Sequence, residues 1–393
     1  AKVLRNGEVQ VSYVYGDRNS PVFTTINALG RASTYKMSRE GLLLESMDPL
    51  GNKTKYSYDG KYNLIQTVDS KGNVSSFEYD AKGNLLKSTD PLGEITTYTY
   101  EPVFHQVTSQ MDALGNIRRF TYDSKGNVIQ SLDPAGNARD FTYDLKGNLI
   151  RTSDVLGIRS TAGYGPQGLP LTVTDALGNQ VSYEYDSRGN MTKMTDPLGG
   201  VTLYAYDALG RVIRQTDPLG RVSSYSYDAM GRLIRTTDAL GNITSYEYDL
   251  KGRLVSQTDA LGGKTLFEYD AKGNLISRTD PLGNKTLFTY DELDRLIQTK
   301  DPLGRTTSFG YDSLGRKISE TDALGSVTRF EYDGLGRLVK TIFPNGAVEQ
   351  ASYDALGRVL TRTDALGNVT RISYDSRGNL ISQTDAIVST TSW

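Results

Sequence analysis

The sequence predicts an all-β fold built from tandem β-hairpins, and three observations carry that prediction. A Tyr-Asp dipeptide returns at a step of 21 residues, as from Tyr227 to Tyr248 and on to Tyr269. A turn of the form Asp-x-x-Gly recurs twice within each step, so glycine interrupts the chain about every ten residues and breaks up any helical apolar stripe. Between the turns lie runs of five or six residues rich in Thr, Val, Ile, Phe and Tyr, the length and composition of strands. Self-similarity at a fixed period outranks any local reading, because it marks an array of like units.

The register tyrosines are Tyr58, Tyr79, Tyr100, Tyr122, Tyr143, Tyr185, Tyr206, Tyr227, Tyr248, Tyr269, Tyr290, Tyr311, Tyr332, Tyr353 and Tyr374, with Tyr164 followed by Gly165 in the remaining slot. One step, Tyr100 to Tyr122, is 22 residues long and crosses Pro102-Val103-Phe104-His105. Met37 stands in the tyrosine slot of an earlier unit, and Asn27 to Gly30 and Asp48 to Gly51 extend the turn pattern upstream. The expected organisation is degenerate N-terminal repeats over residues 1–36 and a regular array over 37–393, irregular at 100–121, with no separate catalytic domain. That makes about eighteen units.

The unit that starts at Tyr269 shows the logic of each element. Asp270 to Gly273 and Asp280 to Gly283 suit type I turns: Asp accepts backbone N–H bonds, Pro281 pre-sets φ, and Gly takes the left-handed position. The strand Lys285 to Tyr290 alternates, placing Thr286, Phe288 and Tyr290 on one face, which is expected to be the buried one. The strand after Gly273 opens with two adjacent apolar residues, Leu275 and Ile276, of which one must leave that face. An odd period would also invert the aromatic face from unit to unit, so every unit needs one parity break. Either the two turns differ in register or one strand carries a bulge. A ribbon with one aromatic and one charged face is expected to curve, since long twisted sheets do not stay flat.

The chain of 393 residues holds 44 basic and 46 acidic residues, intermixed along its length, which gives no electrostatic case for a nucleic-acid partner. Cysteine is absent and histidine occurs once, excluding disulfides, thiol nucleophiles, Cys-ligated zinc and a His-based triad or metal cluster. No apolar run approaches a membrane span. The N-terminal Ala1 to Leu4 lacks both an initiator Met and an apolar leader core, so the chain reads as processed or as part of a longer product.

The bland reading wins at each candidate site. His105 in the irregular segment is structural or superficial. A column of Asp59, Asp80, Asp123 and Asp144 could be imagined to hold Ca²⁺, but Asp capping of its own turn explains it. The aromatic column Tyr183, Tyr204, Tyr225 and Tyr246 could stack sugars, yet its occurrence in every repeat suits sheet packing. Glu247 and Asp249 imply no acid/base pocket. No catalytic residue, cofactor or metal is therefore expected.

The Tyr-Asp dipeptide, the following Gly-Asn or Gly-Arg and the Thr-Asp-Pro/Ala-Leu-Gly turn resemble the YD repeats of the Rhs family, which includes the C components of Tc toxins and the teneurins. The resemblance covers nearly the whole chain. It implies a long antiparallel ribbon that curls into a spiral or hollow shell, a non-enzymatic scaffold that encloses or displays a polypeptide such as a toxin, and a secreted or cell-surface setting. Asp385 to Trp393 carries no Asp-Pro-x-Gly-Leu signature, so no autoproteolytic residues and no cargo are carried over. The alternatives are an extracellular structural or adhesive protein, joined to copies of itself through open sheet edges, and carbohydrate binding through the aromatic column.

Overall fold

The computed structural model describes residues 2–5, 8–15, 22–27, 32–386 and 390–392. Among them every regular element is a β-strand and none is a helix. The chain divides into two units. The first comprises residues 1–117, 268–278 and 284–393, and the second comprises 118–267 and 279–283. The turn expected at Ala28 to Gly30, and the end of the array at 387–389 and Trp393, lie outside the described residues.

In the first unit, strands of five and six residues alternate, as in Leu64–Val68, Val74–Tyr79 and Leu85–Thr89. Each pairs antiparallel with its sequence neighbour, the simplest outcome when five-residue turns join short strands. Both turns of the repeat close in the same way. Gly72 donates to the Asp69 carbonyl and Asp69 to the Asn73 carbonyl, and Gly83 and Asp80 repeat this with Asn84. The glycines sit in the left-handed region, Gly72 at φ 85° and Gly83 at φ 89°, as a type I turn followed by a bulge glycine requires. Turn register therefore does not supply the parity break. It comes from the strand after each tyrosine, where Glu78 pairs with Lys87 but Tyr79 pairs with Leu85, leaving Leu86 as the extra residue.

The second unit repeats this grammar. Thr236 faces Thr244 and Tyr246 faces Gln257, after which Tyr248 pairs with Leu254 and skips Val255. The same shift precedes Tyr143, Tyr185, Tyr206 and Tyr227. Two adjacent apolar residues open the following strand because the first pairs with the tyrosine and the second occupies the bulge.

The aromatic face is the better covered one but not a sealed core. In Lys285–Tyr290, residues Thr286, Phe288 and Tyr290 are half-buried while Lys285, Leu287 and Thr289 are exposed. Among the described residues no apolar side chain is fully buried. Among the described residues the strand-to-strand contacts run between sequence neighbours, so each side chain is covered chiefly from its flanks.

Candidate functional site: the turn edges of the ribbon

Each hairpin ends in a turn, so the ribbon has two edges, one lined by turns that follow the register tyrosines and one by the Thr-Asp-Pro/Ala-Leu-Gly turns. At both edges the leading Asp is a clamp. Asp280 Oδ1 accepts the N–H of Leu282 at 2.9 Å, and Asp48 Oδ1 accepts from Leu50 and Asn52 while its Oδ2 takes the Asn52 amide at 2.7 Å. Asp270 does the same with Gly273 and Asn274. Asp59, Asp80, Asp123 and Asp144 each direct both carboxylate oxygens to their own turn. In each, the Asn side chain is the foremost cause holding the acid below the usual carboxylate range, with the turn N–H groups adding to it.

A second device links successive tyrosine-side turns. In Asp207 to Arg211, the Arg211 guanidinium bonds its own Asp207 carboxylate, donates to the Asp228 carbonyl of the next turn at 3.3 Å, and lies 4.7 Å over the Tyr227 ring. Arg232, Arg295, Arg316, Arg337 and Arg358 make the same three contacts one repeat on. Where Asn stands in that slot, the cation moves two residues back: Lys61 Nζ reaches the Ala81 carbonyl at 2.7 Å and Arg188 the Ala208 carbonyl at 2.7 Å. The Asp-x-x-Gly-Asn/Arg pattern puts Asn and Arg in one slot, yet the two residues build different joints. The signal was present in the pairing of Lys/Arg-Gly-Asn and Leu/Met-Gly-Arg across the repeats.

The register tyrosines close the joint from the other side. The hydroxyls of Tyr100, Tyr143, Tyr185, Tyr206, Tyr227, Tyr248, Tyr290, Tyr311, Tyr332 and Tyr353 each donate to the carbonyl fifteen residues back, on the neighbouring strand, at distances such as 2.9 Å from Tyr290 to Leu275. Tyr58, Tyr79, Tyr122, Tyr269 and Tyr374 occupy the same strand-end slot. Burial raises the phenol of Tyr290, and the Asp270 charge adds to it.

The remaining candidates are dispersed. Glu247 pairs with Lys264 at 3.2 Å while Asp249 clamps its turn through Arg253, so the two carboxylates do not converge. Tyr183, Tyr204, Tyr225 and Tyr246 lie half-buried along the sheet face. His105 stands in the six-residue turn Glu101 to Gln106, the source of the 22-residue step, with φ 57° in the slot glycine fills elsewhere. Its Nδ1 lies 3.1 Å from the Asn84 amide nitrogen.

One arrangement has no counterpart in the sequence reading. Within the first unit, turns of opposite edges meet. Ser70 Oγ donates to Ser313 Oγ at 2.9 Å, and Lys71 Nζ pairs with Asp312 Oδ2 at 2.7 Å. One repeat further on, a Cβ placed on Gly334 would stand 3.2 Å from Leu92 Cδ2 and 3.7 Å from Pro91 Cβ. Burial disfavours the Asp312 charge, but bonds from Lys71 and from the Arg316 N–H and guanidinium outweigh it and lower its pKa to about 2. The contacts join residues 241 and 243 apart in sequence, so no local pattern could reveal them.

Comparison with known proteins agrees with this grammar. The RHS repeat family matches at residues 38–74, 79–103, 103–138, 122–159, 164–201 and 206–243, and the teneurin YD-shell family at 240–385. No curated protein matches the chain. Among solved structures, TcdB2-TccC3 without its hypervariable C-terminal region is similar at a TM-score of 0.74 and 17% identity, over 93% of this chain and 23% of that one. TcdB2-TccC3 itself matches at 0.71 and 18%, over 96% and 26%. A Photorhabdus luminescens Tc holotoxin pore matches at 0.69 and 15%, over 97% and 26%. The chain thus spans about a quarter of the length of the solved chains it matches, and at these identities the likeness is one of fold. With its Tyr-Asp register, its paired Asp-x-x-Gly turns and both repeat families matched along it, the chain belongs to the Rhs family of YD-repeat proteins.

Proposed function

We propose that this chain is a non-enzymatic scaffold, forming part of a shell that encloses or displays another polypeptide such as a toxin. The observation that carries the reading is the meeting of opposite turn edges in the first unit, through Ser70 with Ser313 and Lys71 with Asp312. A ribbon whose two edges fit each other can build a wall wider than one hairpin, which a container needs and an isolated binding strip does not. The likeness to TcdB2-TccC3 structures supports the same reading. In it, residues 37–393 act as one array, the turn aspartates and register tyrosines serve structure, and the chain works outside the cell, at its surface or within a toxin complex.

A protease-sensitive reporter joined after Trp393 tests enclosure. Slower cleavage of the reporter on the folded chain than on the same fusion unfolded in urea supports it, and equal rates overturn it. Assays for hydrolase, protease and transferase activity on the same preparation should read background. A second reading, a structural repeat protein that assembles with its own copies, is favoured by one observation: the leucines of many Thr-Asp-Pro/Ala-Leu-Gly turns stand almost fully exposed.

A further inference from the structure

The edge contact within the first unit serves as a template. There, the turns at Asp69 and Asp90 lie against the tyrosine-side turns at Asp312 and Asp333, and the pairing advances one repeat on both sides at once. The leucines of these turns are partly covered: Leu92 is 46% exposed, Leu314 36% and Leu335 37%. The second unit carries the same two kinds of turn with their leucines bare. On one edge Leu198 is 97% exposed, Leu219 76% and Leu240 86%. On the other, Leu209 is 76% exposed and Met230 74%, in turns Asp207 to Arg211 and Asp228 to Arg232 whose Asp-x-Leu/Met-Gly-Arg pattern matches that of Asp312 to Arg316. A row of large apolar side chains at one per repeat, uncovered on both edges, is unusual for a lone soluble chain and marks an interaction surface.

We propose that the second unit's leucine edge, at Leu198, Leu219 and Leu240, docks onto the tyrosine-side edge, at Leu209 and Met230, of a second copy of this chain. The occupant follows from complementarity on this molecule. The Asp-x-Leu/Met-Gly-Arg turn that meets Leu92 at Gly334 in the first unit recurs in the second with Ala208 and Ala229 in the glycine slot, and both edges advance one turn per hairpin, so their spacings match in any register. Since the two surfaces differ, the contact is head-to-tail, and each copy keeps one edge of each kind free. The contact has turns on both sides and so leaves every strand hydrogen bond intact, unlike pairing of open sheet edges.

Sedimentation velocity of the full chain across the micromolar range tests this. The wild type should gain mass with concentration. The variant Leu198→Glu/Leu219→Glu/Leu240→Glu should stay monomeric, as should Leu209→Glu/Met230→Glu, and both should keep the wild-type circular dichroism and thermal transition because the altered side chains are already in solvent. An equimolar mixture of the two variants should form a dimer and stop there, since each retains one competent edge. A wild type that stays monomeric overturns the proposal, as does assembly that the variants leave unchanged. Flotation of the chain with phosphatidylcholine vesicles, without self-association, would assign the leucines to a lipid surface instead. A monomeric chain that still protects its reporter sinks the docking and leaves enclosure standing.

Discussion

Tyr290 shows how much one side chain does in this fold. Its ring is flanked by neighbouring strands and its hydroxyl donates to the Leu275 carbonyl. Losing that bond alone, in Tyr290→Phe, should cost about 1 kcal/mol of stability by urea titration. Tyr290→Ala should cost more but stay below the ~3 to 5 kcal/mol of a sealed core aromatic, because the site is open on one side. The left-handed slot offers a gain. Tyr62 adopts φ 70° where nearly every other repeat has glycine, and its side chain is largely exposed. Tyr62→Gly should therefore stabilise the hairpin, by roughly 0.5 to 1 kcal/mol after the entropy of glycine is discounted. A lower urea midpoint for Tyr62→Gly would contradict this account.

Among elements, the hairpin was the most legible part of the sequence. Asp, Gly and alternating aromatics specify both turns and the face of each strand, since each depends on neighbours within ten residues. The bulge was legible only as a need, for an odd period demands a parity break without saying where. Its place, at the second of two adjacent apolar residues, follows from the strand pairing. The degree of burial was not legible, because alternation reveals which face is apolar and not whether a second layer covers it. The cation joint was legible as the alternation of Lys/Arg-Gly-Asn with Leu/Met-Gly-Arg turns. Arg232 bonds its own Asp228, the Asp249 carbonyl and the Tyr248 ring, so Arg232→Asn should cost about 1 to 2 kcal/mol. The double change Met230→Lys/Arg232→Asn recreates the Lys-Gly-Asn form seen at Lys82 and Lys125 and should recover most of that loss. Equal destabilisation by the single and double variants in urea titrations would show that the two turn forms are not equivalent.

For the molecule as a whole, strand contacts are local, so stability is close to a sum over repeats and their nearest neighbours. The turn-edge contact of the first unit is the exception, and Asp312 makes it sensitive to acid. Its folded pKa of about 2 lies below the unfolded value near 3.9. A group with a depressed folded pKa contributes its stability fully above the unfolded pKa and loses it as pH falls through the folded one. The edge contact should thus hold at pH 5 and above and weaken between about pH 4 and pH 2. Hydrogen exchange read at residues 69–73 and 312–316 should show protection falling over that window, and by more than in turns such as Asp238 to Asn242, whose carboxylate takes its described bonds from its own turn alone. Asp312→Asn should remove the ion pair with Lys71 at every pH and flatten the profile at residues 69–73. Asp333→Asn, which loses the clamp on Arg337 but leaves Lys71 its partner, separates the two effects. It should loosen its own turn while residues 69–73 keep their acid transition. If both variants flatten that transition alike, the Lys71 to Asp312 pair is not what holds the edges together.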